Sequence, residues 1–131
     1  MEHSTRLRND LVMTLAAFCV LVASVSLLWR NNLLLFFVAL AECVTALILW
    51  HDRLDVSFFL IIGVLGSLAE AVFVRFGVWH YANPTFLGMP MWFPLAFGTT
   101  GLIGARLARA ITEMWERASP SSLPEDTGPR R

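Results

Sequence analysis

Four long apolar runs, separated by short polar breaks, organise the chain. They cover residues 10–28, 33–50, 56–74 and 90–110. At about 1.5 Å per residue, a helix of this length roughly spans the hydrocarbon core of a bilayer. The pattern therefore predicts an all-α fold, specifically an integral membrane four-helix bundle.

The polar segments divide the chain into three parts. Residues 1–9 are polar and predict a cytoplasmic N-terminal segment, followed by a four-helix transmembrane domain over residues 10–117. The segment 118–131 contains proline, serine and charged residues without an apolar period. Such a composition predicts a disordered tail, which we expect in the cytoplasm.

The composition favours lipid over water as the solvent. Hydrophobic residues make up 56% of the chain and charged residues only 15%, with a mean hydropathy of +0.63. A soluble domain usually carries about a quarter charged residues. The formal net charge is zero, which gives no electrostatic case for a nucleic-acid partner. We therefore expect a multi-pass protein of the bacterial inner (cell) membrane, with membrane lipids as its neighbours.

The arginines predict the orientation of the bundle. Those on one side are Arg6, Arg8, Arg53, Arg106, Arg109 and Arg117, and those on the other are Arg30 and Arg75. Since cytoplasmic loops carry the excess of positive charge, this distribution places both termini in the cytoplasm. Short connections make sequential helices antiparallel neighbours.

Small residues share one face on each of the last two predicted helices. Gly63, Gly66 and Ser67 lie on the same face as Glu70, and Gly101 and its neighbours form a similar face. Small faces allow close backbone approach in lipid. They predict helix packing, extending to a homo-oligomer or a membrane partner, or alternatively room for a ligand beside Glu70.

Two carboxylates interrupt the apolar runs and are the leading candidates for chemistry. An acid within a span costs a few kcal/mol and usually faces a protein interior or water. Glu42 and Glu70 lie roughly 15 and 10 Å from the outer ends of their spans, so they could share one outward-facing cavity. Such a pair suits acid–base chemistry on a lipophilic substrate, or proton-coupled movement.

The outer connection supplies the other candidates. His80 is a candidate proton relay near the mouth of the site. The candidate ligand-binding residues are Trp79, Tyr81, Ser67 and Thr100. The aromatic residues serve equally well as interfacial anchors.

A structural account of the two acids stays open beside the chemical one. In it, each acid is hydrogen-bonded to a nearby hydroxyl or neutralised by an arginine. The available partners are Thr45, Ser67, Thr99, Thr100, Arg75 and Arg106. Neither a cofactor nor a metal is expected.

One motif runs from the third predicted helix into the fourth. Its positions are Glu70, Gly77, His80-Tyr81, Gly88, Pro90 and Pro94-Leu95, giving E-x6-G-x2-H-Y-x6-G-x-P-x3-P-L. This segment resembles part of the membrane-embedded carotenoid hydratase family of bacteria and archaea. It is also similar to small bacterial multi-pass membrane proteins with a W-x-Y turn and a P-x-W-x-P helix start. The first resemblance implies an isoprenoid-like ligand, with Glu70 as its proton donor.

The sequence thus favours a small membrane protein that binds or acts on a lipophilic, isoprenoid- or lipid-like ligand through intramembrane carboxylates. Whether it is an enzyme stays open. Two other functions fit the same pattern: an oligomeric small transporter or channel subunit, and a non-catalytic membrane accessory protein.

Overall fold

All regular secondary structure in the described part of the chain is α-helical. A computed structural model covers residues 2–118, with side chains from Thr5 onward. The helices are α1 (Glu2–Leu28), α2 (Asn32–Leu49), α3 (Arg53–Arg75) and α4 (Phe93–Ala118). The all-α prediction is confirmed. The predicted tail beyond Ala118 lies outside the described residues.

Three of these helices have the character of membrane spans. By length and composition, α1, α2 and α3 are each apolar enough to cross a bilayer. α4 is not among them, since it carries Arg106, Arg109 and a run of small and hydroxyl residues. A membrane protein is therefore supported by three helices, and the fourth requires a different explanation.

The position of α4 in the bundle explains its weaker apolar character. α4 contacts each of the other three helices, and its contact with α3 is the most extensive in the molecule. Its buried positions include Leu102 and Ile103, which are almost fully covered. A helix surrounded by protein does not need an apolar surface on every side. α4 is the central element of the fold.

Glycines allow α3 and α4 to pack with their backbones nearly in contact. A methyl group on Gly63 would lie 3.3 Å from the Cα of Gly98, and one on Gly98 would lie 2.9 Å from the carbonyl oxygen of Phe59. Close approach of this kind is what small residues provide in membrane helices. The predicted small face of α3 therefore packs on α4 within one chain, and of the predicted α4 glycines Gly101 lies against α3 whereas Gly104 faces open space.

The connection from Phe76 to Trp92 is fastened to the start of α2. The side-chain amide nitrogen of Asn32 donates to the backbone carbonyl oxygen of Asn83 over 2.6 Å. Its amide oxygen accepts from the indole nitrogen of Trp92 over 3.2 Å. α4 then begins at Phe93, with Pro94 in its first turn, where a missing N–H leaves no carbonyl unpaired.

Candidate functional site

Glu70 is the anchor of the connection that follows α3. Its side chain is only 9% exposed, and its Oε1 accepts hydrogen bonds from the Trp79 indole nitrogen, over 2.6 Å, and from the Tyr81 hydroxyl. Both donors lie beyond the end of α3. The structure thus brings together three residues that the sequence placed in one candidate site.

A glycine turn directs these donors back toward α3. α3 ends at Arg75, and Gly77 adopts a left-handed conformation with a φ of 73° that a side chain would disfavour. The amide of Val78 then donates to the carbonyl oxygen of Phe73 over 3.0 Å. This reversal sets the Trp79 ring 5.2 Å from the Phe73 ring, with the indole N–H pointing to Glu70.

The surroundings of Tyr81 keep its hydroxyl protonated. Burial raises the pKa of the Tyr81 phenol above its ordinary value, and the hydrogen bond and negative charge of Glu70 raise it further. A protonated phenol donates to a carboxylate, in agreement with the hydrogen bond from Tyr81 to Glu70. In this structure Glu70 holds both Trp79 and Tyr81 in place.

The other four predicted site residues, Glu42, His80, Ser67 and Thr100, make no hydrogen bond to this cluster. His80 is exposed, and within the described residues it makes no hydrogen bond or ion pair. The hydroxyl of Ser67 donates to the carbonyl oxygen of Gly63, and that of Thr100 to the carbonyl oxygen of Ala96, each on its own helix. Thr45 and Thr99 bond in the same way, so none of these hydroxyls is bound to either acid.

Glu42 has different surroundings from Glu70. Its Oε1 accepts a short hydrogen bond, 2.5 Å, from the hydroxyl of Ser24 on α1. Its Oε2 is buried without a hydrogen-bond partner, a condition shared among the described side chains only by Nε of Arg106. An unsatisfied buried oxygen is costly, and a native structure rarely keeps one without a reason.

Glu42 also lines an apolar groove between α1, α2 and α4. The groove has a volume of about 480 Å³ and opens toward the outside of the bundle. Its walls are mainly aliphatic and aromatic, and its lining comprises Met13, Ala16, Ala17, Val20, Leu21, Val38, Ala41, Glu42, Thr45, Ala46, Leu49, Trp50 and Thr99. Glu70 is not part of this lining, so only one of the two acids faces the groove.

A buried ionic cluster joins α1, α3 and α4 near the C-terminal end of α2. Asp55 is completely buried and accepts from Arg106, over 2.8 Å, and from Arg109. Arg106 also donates to Asp10 of α1 over 2.7 Å. Its guanidinium lies 5.1 Å from the ring centroid of Trp50, the residue that follows α2, so the side chain of Arg106 contacts α1, α3 and the end of α2.

Half of this cluster has a local signal in the sequence, which the pattern of apolar runs does not include. Arg106 and Arg109 are three residues apart and therefore share a helical face. Asp55 lies at the start of an apolar helix, where it reads equally well as part of a polar turn. Their pairing also settles one open alternative, because Arg106 neutralises Asp55 and Asp10 rather than Glu42 or Glu70.

Comparisons with protein-family models, with curated proteins and with solved structures found no match. The resemblance to carotenoid hydratases therefore rests only on the motif from Glu70 to Leu95. Among residues 5–118, no three His, Cys, Asp or Glu side chains converge as metal ligands would.

Proposed function

We propose that this chain is a multi-pass membrane protein that binds a lipophilic ligand in the groove between α1 and α2. The ligand places an acyl or isoprenoid chain along the apolar walls and a hydrogen-bond donor, such as a hydroxyl group, at Glu42. The observation that carries the proposal is the buried Oε2 of Glu42, which lacks a partner in the wall of an otherwise apolar groove.

The contacts at the two ends of the bundle support the membrane arrangement. Arg106, in the second half of α4, meets Asp10 near the start of α1 and Asp55 near the start of α3. Trp92, just before α4, meets Asn32 at the start of α2. These contacts favour α4 antiparallel to α1 and α3, with both termini on the arginine-rich, cytoplasmic side of the inner membrane.

The chemistry of the groove favours one polar contact and many apolar ones. Ligand sites are usually lined by hydrophobic side chains with a few polar groups that fix the orientation. After a rotation of the Glu42 side chain, a ligand hydroxyl would satisfy Oε2, while Ser24 continues to hold Oε1. Glu70 is already engaged by Trp79 and Tyr81, which makes Glu42 the better partner for a ligand.

Retention of lipid by the purified protein tests this proposal. The protein is extracted in mild detergent, and bound lipids are identified by mass spectrometry. Ala16→Phe places a ring in the groove from an exposed wall position, and Ala23→Phe adds the same ring to an exposed position of α1 outside the groove. Glu42→Gln keeps the size of the side chain and replaces one carboxyl oxygen, a hydrogen-bond acceptor, with an NH₂ group, a donor.

We expect the unaltered protein and Ala23→Phe to retain the same hydroxyl-bearing lipid, and Ala16→Phe and Glu42→Gln to lose most of it. Equal retention by all four proteins would contradict the proposal. Intact-complex masses from the same samples also give the oligomeric state, for which a homo-oligomer is a prediction.

A further inference from the structure

The segment Thr85–Met89 forms a tight hairpin at the outer end of α3. The amide of Phe86 donates to the carbonyl oxygen of Met89 over 3.0 Å, and the amide of Met89 donates back over 2.9 Å. Between them, Leu87 and Gly88 both have positive φ, 50° and 79°. Two such residues make the turn that β-hairpins prefer, in which Asn-Gly is the favoured pair.

A leucine at the first turn position is unusual. A residue with a Cβ is disfavoured at positive φ, and leucine lacks the polar side chain that makes asparagine tolerable there. Its side chain is nevertheless 58% exposed, and that of Phe86 is 67% exposed. In water, the exposed apolar side chains of Phe86 and Leu87 would provide no stabilisation to offset the unfavourable backbone conformation of Leu87.

The hairpin tip lies against the apolar surface of α3 rather than above it. Leu87 and Leu68 line the same two grooves. Leu68 lies seven residues before Arg75, the last residue of α3, which corresponds to about 10 Å along the helix. A methyl group on Gly88 would meet Val74 at 2.5 Å, so the backbone of the turn also touches α3. The hairpin therefore folds back beside the last two turns of α3.

The whole connection matches an apolar environment. From Phe76 to Trp92 the chain contains no Asp, Glu, Lys or Arg. Phe76 and Val78 are also largely exposed, and they continue the apolar surface of α3 outward. The opposite end of the bundle, by contrast, carries the ionic cluster around Arg106.

From this placement we propose that the hairpin Thr85–Met89 is inserted in the membrane, with Phe86 and Leu87 among the acyl chains of the outer leaflet. Its partner is bilayer lipid, because its exposed apolar surface is continuous with the surface by which α3 would face lipid. The hairpin pairs the backbone of Phe86 with that of Met89 internally, so the polar backbone groups left for the interfacial region are chiefly those of the tip residues Leu87 and Gly88. Met89 is buried in the core and ties the hairpin to the bundle. The inference rests on the membrane arrangement proposed above.

Depth-dependent quenching tests the hairpin and the membrane arrangement separately. Single cysteines are introduced as Leu87→Cys, Phe86→Cys, Ala82→Cys and Leu65→Cys, in a chain with Cys19→Ala and Cys43→Ala. Each is labelled with an environment-sensitive fluorophore in phosphatidylcholine vesicles. Quenching by nitroxides on the acyl chains is compared with quenching by aqueous iodide. Leu65 is an exposed position midway along α3, and Ala82 is an exposed position of the connection outside the hairpin.

We expect the labels at positions 86, 87 and 65 to be quenched severalfold more by the acyl-chain nitroxides than the label at position 82, and to be protected from iodide. Labels at 86 and 87 that respond to iodide as strongly as the label at 82, while 65 stays protected, would overturn the hairpin inference alone. Labels at 86 and 87 protected from both quenchers would also overturn it, by indicating a covering protein. An iodide-accessible label at 65 would overturn the membrane arrangement itself.

Discussion

At the scale of single residues, the firmest polar contacts are those of Asp55. This carboxylate is fully buried, and both of its oxygens accept from arginines of α4. A buried ion pair contributes little net stability compared with apolar residues, but removing one partner leaves the other charge uncompensated. Arg106 and Arg109 both pair with Asp55, and Arg106 has Asp10 as a second partner. By contrast, the pair Glu113 and Arg117, 3.6 Å apart on α4, is exposed.

Asp55→Asn should therefore destabilise the fold, by at most about 3–5 kcal/mol, because both arginines lose their buried partner while Arg106 keeps Asp10. Glu113→Gln also removes a carboxylate that pairs with an arginine of α4, but this pair is exposed. It should change stability by less than about 1 kcal/mol. Unfolding followed by circular dichroism in detergent measures both. Equal stabilities for the two variants would contradict the assigned role of the cluster.

Tyr81 offers a second prediction, because it is the only tyrosine in the chain and its ionisation can be read directly from ultraviolet absorbance. Its pKa is raised from the ordinary value of 10.0, first by burial and then by Glu70. The folded protein therefore holds the phenolic proton more tightly than the unfolded chain does. The stability that this provides is complete below pH 10.0 and is lost as the pH rises beyond it.

The phenolate absorbance should thus develop above the pH at which free tyrosine ionises. In Glu70→Gln the midpoint should move downward, because the negative charge is gone, yet stay above the ordinary value, because burial is the larger cause. His80→Gln, a change at an exposed neighbour, serves as the control and should leave the midpoint in place. A midpoint that is ordinary in the unaltered protein would refute the Glu70–Tyr81 contact.

At the scale of helices, α4 is the element on which the others pack. Its contact with α3 depends on glycine, since the carbonyl oxygen of Phe59 leaves no room for a side chain at Gly98. Gly104 lies on the same helix, and a methyl group there would meet nothing within 4 Å. The two positions differ in packing while sharing the same helical backbone.

Gly98→Ala should consequently destabilise the protein by about 1–3 kcal/mol, because α3 and α4 must move apart. Gly104→Ala should stabilise it by up to about 1 kcal/mol, because alanine is the better helix former in open space. Opposite shifts of the thermal midpoint in one detergent are the expected result. Shifts of the same sign would show that α3 and α4 do not approach through Gly98.

The sequence predicted much of this arrangement and missed the rest for identifiable reasons. The apolar runs gave the helices, and the glycine spacing on α3 gave its packing face. The central place of α4 was not predicted, because its arginines and hydroxyl residues make it the least apolar helix while packing makes it the most buried. The pairing of Asp55 with Arg106 joins positions 51 residues apart, and no local pattern specifies such a contact.

The surroundings of the two acids also separate into contacts that the sequence predicted and contacts that depend on helix packing. Glu70, Trp79 and Tyr81 were predicted together because they are close in sequence and flank one turn. An outward-facing cavity shared by Glu42 and Glu70 was predicted, but only Glu42 lines the groove, because the groove forms where α1, α2 and α4 meet. The separate surroundings of the two acids likewise depend on packing.

At the scale of the whole molecule, the two ends of the bundle differ in chemistry. One end holds the ionic cluster of Asp10, Asp55, Arg106 and Arg109. The other end is the uncharged connection from Phe76 to Trp92, with its exposed apolar hairpin. This asymmetry agrees with an arginine-rich cytoplasmic side and an outer side in contact with the membrane surface.

Reporter fusions should place both termini in the cytoplasm and Ala82, within the connection, on the outer side. Enzymatic reporters active on only one side of the inner membrane give the assignment. Termini on opposite sides would mean that one of the four helices does not cross the bilayer. α4 would be the first candidate, because its composition is the least apolar.

Photolabelling of the groove tests the central claim most directly. A long-chain alcohol with a diazirine on its alkyl chain is added to the protein in lipid vesicles, and the labelled residues are mapped by mass spectrometry. We expect labels concentrated on groove residues of α1 and α2, suppressed by Ala16→Phe and unaffected by Ala23→Phe. Labels spread evenly over the exposed apolar faces of α1, α2 and α3, and unchanged by Ala16→Phe, would contradict it.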